Sequence, residues 1–376
     1  MRQGISLYSL PQLHDLAPSL TGPYAETLFQ DPFTSYIGPP STALLFLPFT
    51  FLPFDTSVAF YRVVTILLLF ASVYLVGLAL PANSRFTAWA VGGLSLFSFS
   101  PVVISVGLGQ VDAFVMVALA LGIWAAGRGR WWLVGGAFGF AALLKISPAL
   151  LLLYLLCRGK YQAILGAAIT IVSLLALAAL AGTPGDLWLF LSNVAPSLSS
   201  GSLHMQNQSL PAWIARLLLP ETDLLTFSRG LGTFSLLGLP LAGISTIVLW
   251  HVRRRSQLSN LDYSMLILIG LLAGPITWDH YTSWSILALM LLVSRDLWQN
   301  LTPRITLSLL CALAVAAALM IVPTFTFSSE DILSSPWLRI LTGTKTVALL
   351  LFCAVTLYML VHSNRSDSSA AVVLRT

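Results

Sequence analysis

Apolar stretches close to the length of a membrane-spanning helix recur along almost the whole chain, and they restrict its fold more than any other feature. A helical crossing needs about 20 apolar residues. The chain is 57% hydrophobic and only 9% charged, and a soluble domain of 376 residues cannot bury that much apolar surface within itself. The sequence therefore predicts an all-α fold, a polytopic transmembrane helical bundle in a single integral-membrane domain. The stretches lie at 58–80, 86–106, 110–127, 161–181, 231–252, 261–277, 281–294, 305–322 and 346–362.

The basic residues fall mainly in short loops between these stretches. The net charge of +5 does not indicate a nucleic-acid partner, because the loops lack interleaved aromatic residues. Cytoplasmic loops of membrane proteins collect Lys and Arg, and the orientation that satisfies this rule puts twelve of the 19 basic residues inside, with three of the 14 acids, Asp262, Asp296 and Asp367. The twelve are Arg85, Arg128, Arg130, Arg158, Lys160, Arg253, Arg254, Arg255, Arg295, Arg304, Arg365 and Arg375.

This orientation requires residues 131–157 to leave and return on the cytoplasmic side. We therefore predict two short helices that meet at Lys145-Ile-Ser-Pro148. Pro148 favours a break there, because it lacks a backbone donor and biases Ser147 away from the α region. The alternative is one long crossing with a proline kink, which would invert the rest of the chain and put Arg253–Arg255 outside.

The same orientation divides the chain into an external segment at 1–57, a transmembrane bundle at 58–362 and a cytoplasmic tail at 363–376. Residues 41–53 are too short and too interrupted by proline to span, so we predict a re-entrant or interfacial pair of short helices. A fairly polar segment of this size crosses a membrane only behind a signal peptide or a transmembrane helix. We therefore expect a further transmembrane helix upstream of Met1.

The long external loop at 182–230 contains a short apolar helix at 210–220. Trp213 and Arg216 on this helix suggest that it lies in the membrane interface.

Four polar clusters interrupt the apolar stretches. An ionised Asp near the centre of a bilayer costs roughly 2.5–3.5 kcal/mol on insertion scales, so residues of this kind need a reason to be there. In the predicted orientation all four clusters face the outer side, and this shared face indicates an active site. The clusters are Gly109-Gln110-Val111-Asp112, Lys145-Ile146-Ser147-Pro148, Asn207-Gln208-Ser209 and Trp278-Asp279-His280.

The segments around these clusters resemble, in their order, the polyprenol-phosphate-sugar-dependent glycosyltransferases of the integral-membrane C superfamily, and in particular glycosyltransferase family 87. LLKISP followed later by ITWDH is the most telling part. The resemblance implies a mannosyltransferase with an outward-facing site and a polyprenyl-phosphate sugar as donor. The segments are SYIGPPSTALLFLPFTFLP at 35–53 and those at 107–156, 204–218 and 273–292, which together cover most of the chain.

One feature departs from that family. Its catalytic carboxylate usually lies in the first external loop, after a first transmembrane helix and upstream of a Gly-x-x-Leu-Tyr-like segment. Here Gly4-Ile-Ser-Leu-Tyr8 stands almost at the start of the sequence, and no Asp precedes it. We therefore expect that the sequence is truncated at its N-terminus, or that the protein is inactive as written.

Asp279 and His280 are the predicted catalytic residues. A carboxylate or an imidazole can take a proton from an acceptor hydroxyl near neutral pH, or bind the donor sugar. The structural alternative is that Asp279 caps the helix at 281–294, and capping and catalysis can coexist.

Lys145 is the predicted ligand of the donor phosphate, because an ammonium stabilises the negative charge that develops on a leaving phosphate. The alternative is that Lys145 reaches the lipid headgroups. Arg62, near the outer end of the stretch at 58–80, is assigned either to the same phosphate or to the interface.

Gln110, Asp112, Asn207 and Trp278 are predicted to contact substrate. Gln110 and Asp112 begin the helix at 110–127 and are two residues apart, so they cannot both point at one ligand from a regular helix. The helix dipole alone also explains Asp112, and solvation of a loop also explains Asn207.

The sequence predicts neither a metal site nor a cofactor, because no spacing of Asp, Glu and His indicates a ligand set. Cys157, Cys311 and Cys353 lie in apolar segments, and they suit neither a disulfide framework nor a zinc site. The outer N-terminal segment offers further candidate bases, although acids in loops are usually solvated surface. These candidates are His14, Asp15, Glu26 and Asp31.

Taken together, the sequence predicts transfer of a hexose, by resemblance mannose, from a polyprenyl-phosphate sugar to an extracytoplasmic glycan or glycolipid. The acceptor hydroxyl loses its proton to a carboxylate or an imidazole and attacks the anomeric carbon, and the lipid phosphate leaves. Two alternatives remain open: a non-catalytic carrier or flippase that uses the same phosphate-binding groups without a base, and a degenerate homologue without activity.

Overall fold

The computed structural model is all-helical and describes residues 38–182, 185–219, 230–254, 256, 258–299, 301–324 and 335–373. The N-terminal candidate bases His14, Asp15, Glu26 and Asp31 lie outside these ranges. The helices, in chain order, are α1 (Pro40–Ala43), α2 (Phe54–Ala79), α3 (Ala82–Ser98), α4 (Ser100–Gly107), α5 (Asp112–Ala126), α6 (Trp131–Leu144), α7 (Ala149–Cys157), α8 (Tyr161–Ala181), α9 (Asp186–Leu189), α10 (Ala195–Ser199), α11 (Leu210–Leu218), α12 (Gly238–Arg253), α13 (Asn260–Ala273), α14 (Ser285–Leu292), α15 (Pro303–Ile321), α16 (Pro336–Leu341) and α17 (Thr344–Val373).

Five helices in the described part of the chain are long and apolar enough to cross a membrane. They are α2, α8, α12 with the 3₁₀ turn before it, α15 and the portion of α17 up to His362. The pair α3 and α4, bent by 60°, is a sixth candidate. These helices confirm the predicted all-α, polytopic bundle.

Prolines set several of the boundaries. Helix α2 begins at Phe54 rather than at residue 58, because Pro53 holds an extended conformation and occupies the N-cap. The stretch predicted at 86–106 is not one straight helix, since Phe99 is extended and Pro101 stands in the first turn of α4. Residues 41–53 form only α1 and a 3₁₀ turn at Leu47–Phe51, and neither is long enough to span.

Helices α13 and α14 form the centre of the bundle. All residues of α14 and nearly all residues of α13 are buried, as expected of helices that are apolar on every face. The two helices run as a hairpin, and Ser264 Oγ donates to the carbonyl of Ala288 at 3.4 Å. Their connection, residues 274–284, lies at one end of the bundle and carries Trp278, Asp279 and His280.

Helices α6 and α7 form the predicted hairpin. Lys145 is extended, at φ −146° and ψ 130°, and ends α6. Helix α7 then returns the chain, because Lys160 Nζ lies 4.3 Å from the centroid of the Trp131 ring at the start of α6. The break and the return are confirmed, and the alternative of one long kinked crossing is wrong.

Helix α8 runs parallel to α6 and packs against it backbone to backbone. A Cβ atom on Gly135 would lie 1.7 Å from the carbonyl oxygen of Ala163, and one on Gly166 would lie 2.5 Å from that of Trp132. Only glycine permits this approach, which is typical of helix pairs in membranes. The packing fixes the direction in which the hairpin presents Lys145.

The basic loops gather at the end of the bundle opposite to the α6–α7 break. Arg158 Nη2 donates to the carbonyl of Ser256 at 2.5 Å, so the loop after α7 touches the loop after α12. Arg253, at the end of α12, forms a buried ion pair of 3.0 Å with Asp262. The bundle therefore has a basic end and, at the far ends of α6 and α13, an end that carries the polar clusters.

We expect residues at the two ends of the bundle to react from opposite sides of the membrane. Single cysteines at Leu108 and Ile146, both exposed at the polar-cluster end, should react alike with a membrane-impermeant maleimide in intact cells, in a background without the native cysteines. A cysteine at Tyr161, exposed at the basic end, should not react in intact cells and should react in inside-out membrane vesicles. Equal reaction at Ile146 and Tyr161 in intact cells would contradict the hairpin topology.

Candidate functional site

The connection between α13 and α14 is held in place by the loop that carries Asn207. The Asn207 Oδ1 atom accepts from the backbone N–H of Thr277 at 2.8 Å, and the Asn207 Nδ2 atom donates to Pro275 O at 2.9 Å and to Ser202 O at 2.8 Å. The backbone N–H of Gln208 adds a bond of 2.6 Å to Thr277 O. Because Asn207 Oδ1 also accepts from the N–H of Ser209, the amide uses its full hydrogen-bonding capacity. Asn207 thus fixes the connection, and no part of its amide is left to bind a substrate.

Asp112 lies at the first position of α5, after a turn that needs glycine. Gly109 in this turn has φ +64°. The helix begins at Asp112, and Gln110 precedes it. Asp112 is fully buried, and its carboxylate accepts from Ser105 Oγ at 3.1 Å and from Trp284 Nε1 at 3.2 Å.

His280 faces Asp112 across the centre of this end of the bundle. Its Nε2 atom lies 3.8 Å from Asp112 Oδ2, which is longer than a hydrogen bond. The Nε2 atom is buried and has no hydrogen-bond partner among the described residues. Burial lowers the pKa of His280 to about 4, with Asp112 raising and Lys145 lowering it, so the imidazole is neutral at neutral pH and can accept a proton.

Lys145 reaches the same place from the α6–α7 break. Its Nζ atom lies 3.6 Å from the centroid of the Tyr281 ring, a cation–π contact. The ring of Tyr281 stacks on that of Trp284, with centroids 5.5 Å apart, and Trp284 is the residue that donates to Asp112. In the described part of the chain the Lys145 ammonium has no carboxylate or carbonyl partner, so it is a cation available to an anion.

Asp279 points to a different set of partners from its neighbour His280. Thr324 Oγ1 donates to Asp279 Oδ2, and the Asp279 Oδ1 atom is buried without a hydrogen-bond partner in the described chain. Burial raises the pKa of Asp279, and the nearby charge of Lys345 and the Thr324 hydroxyl oppose the rise. Asp279 begins the 3₁₀ turn at 279–284, but its side chain caps no backbone N–H there, so the capping alternative is wrong.

Three further predicted residues lie at the edge of this cluster. Trp278 is largely buried, and its ring meets that of His204 edge to face, with centroids 6.0 Å apart. Gln110 takes part through its backbone, because its carbonyl accepts a hydrogen bond of 3.0 Å from the Tyr61 hydroxyl. Arg62 is exposed on α2, and no contact joins it to the cluster among the described residues.

Arg216 does not reach solvent or headgroups from the helix predicted at 210–220. The side chain of Arg216 is fully buried, and its guanidinium donates to the carbonyls of His204 and Asn207 at 3.1 and 2.8 Å and to Thr342 Oγ1 at 3.0 Å. Burial lowers the pKa of Arg216 to about 9, so the group stays charged at neutral pH. Helix α11 therefore supports the Asn207 loop through Arg216, and its position in the membrane interface stays a prediction.

Lys345 is the residue that sequence reasoning missed. It stands just before the apolar stretch at 346–362, which is the usual position of an interfacial anchor, yet its side chain is fully buried. Its ammonium donates to Ser100 Oγ and to the carbonyls of Leu319 and Met320, at 2.8–2.9 Å, and also to the carbonyl of Val322. Lys145 is thus not the only cation embedded in the bundle. The only sequence signal for this buried position of Lys345 was a basic residue next to an apolar stretch with no acid close to it in sequence.

The described residues contain no group of three or more His, Cys, Asp and Glu side chains that could hold a metal ion. We therefore assign no metal ligands. Cys157, Cys311 and Cys353 are free thiols.

The sequence profile of glycosyltransferase family 87 matches residues 36–275. The chain is 24% identical over 261 residues to the polyprenol-phosphate-mannose-dependent alpha-(1-2)-phosphatidylinositol pentamannoside mannosyltransferase of Mycobacterium tuberculosis, across 68% of this chain and 57% of that protein. It is 26% identical over 283 residues to the protein of the same description from Mycolicibacterium smegmatis, across 72% and 63%. A polyprenol-phosphate-mannose-dependent alpha-(1-2)-phosphatidylinositol mannoside mannosyltransferase of M. tuberculosis is 24% identical over 282 residues, across 69% and 62%. The chain thus spans about three fifths of the length of these relatives.

The substitution Arg216→Met should lower the free energy of unfolding by about 3 kcal/mol, because it removes three buried hydrogen bonds and leaves the carbonyl of Asn207 without its donor. Unfolding in detergent micelles by titration with a denaturing detergent measures the change. Arg62→Met, at an exposed arginine, is the matched control and should stay within about 0.5 kcal/mol of the wild type. Equal stability of the two variants would show that the Arg216 contacts are not formed.

Substitutions around His280 should move its pKa in opposite directions. Asp112→Asn removes the charge that raises this pKa, so the value should fall below about 4, and Lys145→Met removes the charge that lowers it, so the value should rise towards 6.5. NMR titration of 13C-labelled histidine, assigned with the His280→Ala variant, measures each value. A wild-type imidazole that titrates at 6.5 or above would refute the burial of this ring.

Proposed function

The chain belongs to glycosyltransferase family 87, and on this premise we propose that it transfers a hexose from a polyprenyl-phosphate sugar to a glycan or glycolipid acceptor. The relatives use polyprenol-phosphate-mannose and act on phosphatidylinositol mannosides. Mannose is therefore the sugar we propose, and a phosphatidylinositol mannoside is the first acceptor to test. The site is proposed to face outward from the cytoplasmic membrane, because the basic loops lie at the opposite end of the bundle.

One observation carries the proposal: an ammonium and an imidazole both contact the ring of Tyr281, and in the described part of the chain the ammonium has no anionic partner and the imidazole Nε2 atom has no hydrogen bond. Lys145 supplies the ammonium and His280 the imidazole. A donor phosphate needs the first group, and an acceptor hydroxyl that must lose a proton needs the second. Both groups lie at the same end of the bundle, Lys145 at the α6–α7 break and His280 in the α13–α14 connection, so the polyprenyl tail can remain in the lipid.

The reaction we propose is a displacement at the anomeric carbon. The acceptor oxygen gives its proton to His280 Nε2 and forms the new bond to carbon. The bond from that carbon to the phosphate oxygen breaks, and its electron pair leaves with the lipid phosphate, whose charge Lys145 neutralises. Asp112, 3.8 Å from Nε2, stabilises the imidazolium that results, so we assign it a role beside the base.

Asp279 is proposed to bind the substrate and not to act as the base. Its carboxylate is already engaged by Thr324, and it lies in the field of Lys345. His280 has no such partner. Of the two predicted catalytic residues, we therefore assign proton transfer to His280 and substrate binding to Asp279. Trp278, next to them, is proposed to border the bound sugar, whereas Gln110 and Arg62 make no side-chain contact with the cluster among the described residues.

The substitutions Lys145→Met and His280→Ala should separate donor binding from turnover. Lys145→Met should weaken binding of polyprenyl-phosphate mannose by about 10- to 100-fold and lower kcat, because one group serves both the bound phosphate and the leaving phosphate. His280→Ala should lower kcat by about 10²- to 10⁴-fold with donor binding retained, because a general base acts only during transfer. Donor titrations and radiolabelled transfer to a phosphatidylinositol mannoside measure the two quantities.

Lys160→Met is the matched control, since Lys160 also lies over an aromatic ring but at the basic end of the bundle. It should leave both quantities at the wild-type level. If Lys145→Met does the same, the phosphate role is wrong and contact with headgroups becomes the better account of Lys145. Donor binding without transfer to any acceptor would instead favour a carrier.

A further inference from the structure

The Asp279 Oδ1 atom is a buried polar atom that has no hydrogen-bond partner among the described residues. The side chain is only 2% exposed, and in the described chain its Oδ1 atom accepts no hydrogen bond. Leaving such an atom unpaired costs about 1–3 kcal/mol, and more when the group is charged. An unpaired acceptor beside a candidate active site therefore indicates a group that arrives with a ligand.

The nearest cation cannot supply that group. Lys345 acts on Asp279 through its charge, but an ammonium has three protons. Four acceptors, Ser100 Oγ and the carbonyls of Leu319, Met320 and Val322 at the C-terminal end of α15, lie within hydrogen-bonding distance of these three protons, so none is left for Oδ1. The Lys345 ammonium favours the ionised form of Asp279 without bonding to it.

The carboxylate is also held in one position before any ligand binds. Thr324 fixes Oδ2 from one side. Within the 3₁₀ turn, Thr282 Oγ1 donates to the Asp279 backbone carbonyl at 2.6 Å. An acceptor that is already oriented costs little entropy to engage, so a bond to it distinguishes sharply between ligands that have the donor and ligands that lack it.

We propose that Asp279 Oδ1 binds a hydroxyl group of a hexopyranose ring and thereby determines which sugar the site accepts. This inference rests on the proposed function. The carboxylate repels an anionic ligand, and the nearby charge of Lys345 opposes the binding of a metal cation. A hydroxyl both donates and accepts, so it matches a carboxyl in either protonation state. Donor and acceptor both carry such hydroxyls, and the experiment separates them.

The test removes each sugar hydroxyl in turn and asks whether its effect depends on Asp279. Deoxy analogues of polyprenyl-phosphate mannose form one series, and deoxy analogues of a phosphatidylinositol mannoside form the other. In the wild type, one analogue should have a kcat/KM about 10- to 100-fold below that of its parent. In Asp279→Ala, the parent should fall to a similar level and the difference between parent and analogue should disappear. The series that contains this analogue identifies the sugar that Asp279 touches.

The matched control is Asp296→Ala, at an exposed aspartate that accepts from Asn83 at the basic end, and it should keep the wild-type ratios. If Asp279→Ala keeps the wild-type ratio for all analogues of both series, the inference is overturned. Should Asp279→Ala fail to fold, the near-isosteric Asp279→Asn replaces it, and the loss of charge should reduce the ratio by about 3- to 10-fold. An unchanged ratio in folded Asp279→Asn overturns the inference as well.

The same sugars are also titrated by calorimetry, without turnover. If the protein binds mannosyl lipids but does not transfer mannose, the proposed function is wrong. The binding affinities still test the present inference, because removal of one sugar hydroxyl should weaken binding to the wild type and not to Asp279→Ala. A chain that transfers mannose without any dependence on Asp279 fails only the present inference.

Discussion

Hydrocarbon offers no hydrogen bonds, so each polar group inside this bundle must find its partner within the protein. The connection between α13 and α14 depends on this constraint. It is not helical near the polar end of the bundle, so its backbone groups need other partners. The Asn207 side chain and the N–H of Gln208 supply hydrogen bonds to Thr277, and the Arg216 guanidinium in turn donates to the carbonyl of Asn207. The same requirement explains why Lys345 lies at the C-terminal end of α15, where helix carbonyls lack partners of their own.

The site holds two of the buried polar atoms that have no hydrogen-bond partner in the described chain. His280 Nε2 and Asp279 Oδ1 are neighbours in sequence and are both buried without a hydrogen bond in the described chain. A protein that fastens a loop with a buried arginine is able to satisfy polar atoms when stability requires it. At an end of the bundle that also carries the Lys145 ammonium, we propose that a ligand, and not packing, accounts for these unpaired groups.

The sequence is informative about the fold because hydropathy is a local property. The spans follow from apolar length, and the α6–α7 break follows from the covalent restriction at Pro148 and from the placement of the basic loops. The site depends on partners distant in sequence. Asp112 looked like a residue in a helix dipole, and only the fold brings Trp284 to its carboxylate. The sequence predicted Arg216 on an interfacial helix and assigned no role to Lys345, because a one-dimensional pattern cannot show that carbonyls of other segments surround them.

The contacts among Lys145, Tyr281, Trp284 and Asp112 link the two halves of the proposed reaction. Lys145 lies on Tyr281, Tyr281 stacks on Trp284, and Trp284 donates to the carboxylate beside His280. The Lys145 charge also lowers the pKa of His280. A phosphate that neutralises this ammonium therefore removes part of the lowering and makes the imidazole a stronger base. On this argument the base gains proton affinity when the donor is bound, so the acceptor hydroxyl is activated only where a sugar is present to receive it.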